Sequence, residues 1–255
     1  MFTFSQAIVR QVGNSYVDGL TDYDLGTPDI EKAREQHQQY VEALQSCGLR
    51  VTVLEPDEEH PDSIYVEDPA VVIPECAILT NPGAPARTEE KYEMEPVLKR
   101  FYEKVEVMNT PGYLDGGDVI QVEDHFYIGL SDRTNEDGAE QFRDIAAKYG
   151  YTTSFIPVNN FLHLKTGATY IGDQHVLVAG EFIEGPAFSS LKKIVVPDDE
   201  AYAANCLRIN DCILMPKGYP DTYKQVAGLG YPIIELEASE FRKKEGSLTC
   251  LSLRF

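Results

Sequence analysis

Val119-Ile120-Gln121-Val122, a turn at Glu123-Asp124, Phe126-Tyr127-Ile128, a helical stretch Asn135–Tyr149 and then Ser154-Phe155-Ile156 form one ββαβ unit. The first two runs are β-branched and aromatic and are separated by two turn-forming acids, so they predict a hairpin. The order recurs on both sides with negligible sequence identity. Upstream stand Val71-Val72-Ile73, turn Pro74-Glu75, Ala77-Ile78-Leu79, a helix over Thr88–Tyr102, and Val105-Glu106-Val107. Downstream come Thr169-Tyr170-Ile171, turn Gly172-Asp173, Val176-Leu177-Val178, a shorter stretch from Pro186, and Ile194-Val195-Val196. A fourth round has Cys206-Leu207-Arg208-Ile209, turn Asn210-Asp211, Ile213-Leu214-Met215, a helix over Thr222–Leu229, and Ile233-Ile234-Glu235-Leu236.

The remainder, Thr249–Phe255 joined to Phe2–Arg10, helix Pro28–Ser46 and Val51-Thr52-Val53-Leu54, makes a fifth round from both chain ends. First strands centre near Val72, Val119, Tyr170, Leu207 and Leu251, at spacings of 47, 51, 37 and 44 residues. A period of that size with a split terminal unit predicts an α/β propeller of five ββαβ modules, closed by the two termini. The competing arrangement is a single irregular α/β sandwich. No linker interrupts the pattern, so residues 1–255 are expected to form one domain.

The chain carries 42 acidic against 22 basic residues, a net charge of −20. That field disfavours nucleic acid and anionic membranes and permits a small cationic partner, though general solubility explains it equally. No apolar run is long enough to span a bilayer, and no basic-then-apolar leader opens the chain. Five irregularly spaced cysteines fit a reducing cytoplasm. Walker loops, paired-cysteine zinc spacings and His-Glu-x-x-His are absent, and Gly116-Gly117 lacks dinucleotide spacing, so neither a cofactor nor a metal is expected.

Four modules place an ionisable group just ahead of the inner strand: Asp68, Asp115, His163 and Cys250. Each alone has an ordinary explanation. A cysteine among leucines is commonly core, as Cys206 illustrates, and Gly116-Gly117 reads equally as a turn or as room for close approach. Together at the centre of a ring they would supply a thiol nucleophile, an imidazole proton shuttle and carboxylates able to hold a planar cation such as a guanidinium.

Several blocks resemble the dimethylarginine dimethylaminohydrolases, within the wider guanidine-modifying, arginine-deiminase-like superfamily. They are Ser63–Asp68, Leu114–Val119, Phe126–Asn135, Leu162–Lys165, Ala203–Cys206 and Leu248–Cys250. The likeness covers essentially the whole chain, and the family fold is a five-module propeller. It implies Cys250 as nucleophile, His163 as general acid and base and Asp115 as support for His163. Glu67 and Asp68 would bind the guanidinium, Asp62 the α-amino group, and Arg87 and Arg133 the α-carboxylate. Leu20 would be a lid contact, and the backbone around Lys244 would line the pocket. Asn81 and Thr88 stand where some relatives carry further arginines, which makes the carboxylate clamp leaner.

The implied reaction is hydrolysis of Nω-methylated arginine to citrulline and methylamine or dimethylamine, through a covalent intermediate on Cys250. An arginine deiminase releasing ammonia is the near alternative, although such enzymes usually carry a helical insertion for which 255 residues leave no room. A non-catalytic propeller that binds a partner is the alternative of another kind. The expected partner is a small cationic amino acid, and the expected assembly a homodimer.

Overall fold

The computed structural model describes residues 3–255, so Met1 and Phe2, the start of the fifth round, lie outside it. The chain opens with β1 (Gln6–Arg10), α1 (Ile30–Ser46) and β2 (Arg50–Leu54). A second module follows: β3 (Ala70–Ile73), β4 (Cys76–Leu79), α2 (Glu90–Leu98) and β5 (Val105–Val107). The third has β6 (Val119–Val122), β7 (His125–Leu130), α3 (Glu136–Lys148) and β8 (Thr152–Pro157). A single helical turn, α4 (Leu164–Gly167), leads into β9 (Ala168–Gly172), β10 (His175–Val178) and β11 (Lys192–Val195). The last full module is β12 (Leu207–Ile209), β13 (Cys212–Pro216), α5 (Pro220–Ala227) and β14 (Ile233–Leu236), and α6 (Ser239–Arg242) and β15 (Leu253–Arg254) complete the chain.

Each module is a three-stranded sheet whose first two strands are antiparallel and whose last two are parallel. Only the parallel pair needs a crossover, which is why the helix falls between the second and third strands. The split module closes by pairing β15 antiparallel to β1, with Ala7 opposite Arg254, while β1 runs parallel to β2.

Packing distinguishes a ring from a sandwich. The described residues form five apolar clusters instead of one core, and each cluster joins neighbouring modules. Ile73, Ile78, Phe126 and Phe142 join the second to the third, for example, and Leu44, Leu214 and Phe241 join the last to the first. An axial cavity of about 740 Å³ is lined by residues of β3, β6, β9, β12 and β15, all five inner strands.

Three expectations need correction. The stretch from Pro186 is not helical: Gly180–Phe182 forms a 3₁₀ turn, and Phe161, Phe182 and Phe188 pack where a helix would sit. Lys193 satisfies the loose carbonyls there, its Nζ donating to Phe182 O, Ile183 O and Gly185 O at 2.9–3.0 Å. The last inner strand begins at Leu253, so Cys250 stands in the turn before it rather than at its start. The helix expected over Thr88–Tyr102 shrinks to Glu90–Leu98, with Pro96 in its final turn.

Hairpin turns absorb positive φ at Glu123 (53°), Asp173 (49°) and Asn210 (51°), the left-handed values that two-residue connections need. Asn210 also fastens the ring's seam. Its side chain accepts from Phe4 N at 2.8 Å and donates to Phe4 O at 3.0 Å and Cys47 O at 3.2 Å. Asn210→Ala is expected to lower the unfolding free energy by about 2–4 kcal/mol, and Asn210→Gly by about 1 kcal/mol less, since glycine keeps the backbone but loses the bonds. Urea titration of the three proteins measures both terms.

Candidate active site

Loops ahead of the inner strands converge at one end of the ring. Asp68, Asp115 and His163 bring their donor atoms within 4.8 Å of one another, all buried. His163 Nε2 lies 3.0 Å from Asp115 Oδ2. Asp115 Oδ1 accepts from Gly83 N at 2.8 Å, and Asp68 Oδ1 from Gly117 N at 3.1 Å. The second Asp68 oxygen takes Arg87 Nη1 at 2.5 Å. Arg87 already places a cation against this cluster.

The twin glycines serve both readings: Gly116–Asp118 forms a 3₁₀ turn, and its backbone is closely approached. A Cβ on Gly116 would fall 2.0 Å from Glu67 O, and one on Gly117 would fall 2.9 Å from the His163 ring and 3.0 Å from Asp68 Oδ1. Gly117 is therefore the space in which the imidazole and Asp68 meet.

A small pocket of about 30 Å³ is lined by Leu20, Asp62, Tyr65, Asp68, Arg87, Arg133, Leu162, His163, Lys244, Glu245, Gly246 and Cys250. The structure thus gathers most of the residues singled out in the sequence. Asp115 lies behind His163 and Glu67 to one side. Glu67 Oε1 is held by Lys165 Nζ at 2.6 Å and Arg254 Nη2 at 3.0 Å, while Oε2 is buried without a partner.

Arg87 lines the small pocket and is at the same time heavily paired. Its guanidinium is spent on Asp68, on both Glu90 oxygens at 2.8 Å, and on Asp62 O and Tyr65 O, leaving one Nη1 hydrogen. Arg133, 3.9 Å from Asp115, is the less committed arginine. Asn81 is tied to Gly112 O and Lys91, and Thr88 caps Pro85 O, so neither side chain reaches the pocket.

The lid is fastened shut. Leu20 N donates to both Asp62 oxygens at 3.1 and 3.2 Å, Lys244 Nζ to Gly19 O at 2.6 Å, and Asp22 N to Glu245 Oε2 at 2.7 Å. These bonds tie the Gly19–Asp22 segment to Asp62 and to the Lys244–Glu245 loop at the rim of the small pocket.

Burial opposes charge on His163, but Asp68, Asp115 and Asp118 outweigh it and push the ring up to about 9. Cys250 is pushed up to about 12 by burial, then by Glu67 and Asp68, against weaker relief from a backbone bond with Ser247 and from Lys165. Without a ligand the pair is imidazolium and thiol at neutral pH. Cys206 is buried and its thiol is raised by burial alone; its Sγ bonds only to Ala203 O, so it stays inert.

Sequence reasoning missed Glu90, Asp118, Tyr65 and Thr134. Glu90 had a visible signal, standing three residues after Arg87 across a helix start. Asp118 lay inside the Leu114–Val119 block, where only Asp115 and the glycines were singled out.

The family model for "N,N dimethylarginine dimethylhydrolase, eukaryotic" matches residues 26–197. A dimethylarginine dimethylaminohydrolase of Pseudomonas aeruginosa is 47% identical over 99% of this chain and 100% of its own. The chain belongs to the dimethylarginine dimethylaminohydrolase family. A second relative of the same name, from Streptomyces coelicolor, is 34% identical over 98% of this chain and 96% of its own. A solved Pseudomonas aeruginosa structure, of a cysteine-to-serine variant complexed with citrulline, superposes with a TM-score of 0.98 at 46% identity over 100% of both chains. The N-terminal domain of the arginine dihydrolase ArgZ shares the fold, with a TM-score of 0.88 at 18% identity over 98% of this chain and 97% of that one. Family membership and the propeller are therefore as the sequence implied.

Two outcomes follow from the geometry. Gly117→Ala is expected to push His163 and Asp68 apart and cut kcat/KM on the order of a hundredfold, a loss of the size displaced reacting groups cause; steady-state kinetics on the folded variant checks this. Because the folded His163 pKa is raised above the ordinary value of about 6.5, its charged form stabilises the fold below that pH. The contribution is lost as pH rises through about 9. The stability gap between wild type and His163→Asn should therefore be widest near neutrality or below and close above that value, as followed by urea titration across pH.

Proposed function

We propose that residues 1–255 form one guanidine-modifying catalytic domain that hydrolyses Nω-methylated arginine to citrulline and dimethylamine or methylamine. The observation that carries this reading is the lining of the small pocket: one cysteine and one histidine share it with Asp68, while Asp62 and Arg133 stand ready for the amino-acid end. The relatives' names and the citrulline complex of one of them support it.

The charges suit a cationic substrate. A guanidinium held by Asp68, with the unpartnered Glu67 Oε2 a candidate second acceptor, offsets the two carboxylates that raise Cys250 and brings the thiol toward ionisation. The thiol loses its proton to solvent, and the thiolate forms a C–S bond to the guanidinium carbon as a C–N π bond gives way to a tetrahedral adduct. Protonated His163 gives its proton to the departing amine as the C–N bond breaks. Neutral His163 then takes a proton from water, the resulting hydroxide attacks the S-linked amidino carbon, and the C–S bond breaks to release citrulline. Asp115 holds the ring in register for both transfers. Asp62 would exchange the Leu20 amide for the substrate's ammonium, which couples binding to the lid.

Two finer points belong to the same proposal. Five unpaired cysteines suit a reducing cytoplasm, and among the described residues no helix is long and apolar enough to cross a membrane. The expected homodimer is tested by sedimentation.

The deciding experiment is a panel of guanidines with the released amine identified. Asymmetric dimethylarginine and monomethylarginine are expected first, arginine far behind and agmatine negligible, since agmatine leaves Arg133 unpaired at a cost of about tenfold or more. Cys250→Ser should abolish turnover, and His163→Gly should accumulate an adduct on Cys250 visible by mass spectrometry. Ammonia from arginine as the fastest reaction would move the protein to the deiminase reading.

A further inference from the structure

Asp118 touches no part of the pocket, yet its carboxylate is buried beneath every loop that builds the His163 side of the site. Oδ1 accepts from Leu164 N, the residue after His163, at 2.8 Å. Oδ2 accepts from the hydroxyls of Ser131 and Thr134, each at 2.7 Å. Those hydroxyls in turn accept main-chain donors: Ser131 Oγ takes Arg133 N at 3.0 Å, and Thr134 Oγ1 takes Asp115 N at 3.2 Å. An ionised carboxylate can only accept, so both hydroxyl hydrogens must point at Asp118 and both lone pairs are left for the amides. Gly129 clears the space, since a Cβ there would lie 2.6 Å from Asp118 Oδ1.

We propose that Asp118 is a positioning residue which, through Leu164, Ser131 and Thr134, fixes the main chain carrying His163, Arg133 and Asp115. The inference rests on the methylarginine hydrolase reading above. Replacing the acceptor by an amide turns N–H toward at least one of the three donors. A hydroxyl relay reverses, and the His163–Asp115 pair loses its fixed register. Nothing in this arrangement binds Asp62 or Asp68, so the defect falls on the step that needs His163 as base more than on substrate capture.

The test is steady-state and single-turnover kinetics of wild type, Asp118→Asn, Thr134→Val and Thr134→Ser with asymmetric dimethylarginine, with the folded fraction of each measured by thermal unfolding. In Asp118→Asn, kcat is expected to fall about tenfold or more while KM rises no more than about threefold, through Arg133. Denaturing mass spectrometry should show the Cys250 adduct accumulating, a signature that mere loss of folded enzyme does not produce. Thr134→Val should lose part of kcat in the same way, and Thr134→Ser, which keeps the hydroxyl, should restore it. A folded Asp118→Asn with wild-type kcat overturns the proposal, as does a loss equal to its unfolded fraction without adduct. If Asp118→Asn does not fold, Thr134→Val decides, and wild-type kcat in that variant overturns the proposal. Wild-type protein inert toward every methylated arginine refutes the underlying reading itself.

Discussion

Keeping carboxylates ionised where water is scarce is the constraint on which this site depends. Asp62, Glu67, Asp68, Asp115 and Asp118 are all buried within a few loops, and an unpaired buried charge costs several kcal/mol. Each is held by a different device. Arg87 pairs with Asp68, His163 with Asp115, Lys165 and Arg254 with Glu67, backbone amide with Asp62, and hydroxyls with Asp118. Asp118 has no cation in direct contact, and burial pushes it up to about 6. Arg87 is the member whose loss would spread furthest, because it also binds Glu90 and two carbonyls of the Asp62–Tyr65 turn.

That arrangement explains the state of the thiol. Burial first, and then the same carboxylates that would receive a guanidinium, hold Cys250 protonated. Under the proposed reading the nucleophile is armed by its own substrate, so oxidants and alkylants that attack thiolates meet a neutral thiol instead. Asp62, for its part, accepts from the Leu20 amide through both oxygens.

The ring supplies the geometry. Each module sends its loop to the axis just before its inner strand, so residues 48 positions apart, His163 and Asp115, meet at hydrogen-bond distance. The modules are held by five separate apolar clusters, and the seam between the first and last is fastened by β1–β15 pairing and by Asn210. With the core displaced to the module boundaries, the axis can stay partly open.

Much of this was legible in the chain. The two-residue turns and the β-branched runs around them are local signals, and they located the hairpins of all four unsplit modules. The split module followed from the leftover pieces at the two ends. Cys250, His163, Asp115 and Asp68 were recognisable because they recur at one place in a repeat. What the chain could not reveal was the direction of each side chain. That Arg87 also pairs with Glu90 and Asp68, and that Asp118 accepts from the Ser131–Thr134 loop, appears only once those loops meet. The two readings of Gly116-Gly117 were equal in sequence, and both hold: the glycines sit in a 3₁₀ turn, and a Cβ would lie 2.0 Å from Glu67 O or 2.9 Å from the His163 ring. Secondary structure and repeat order are set by neighbours in the chain, whereas partners in a buried charge network are set by loops that meet only after the ring has closed.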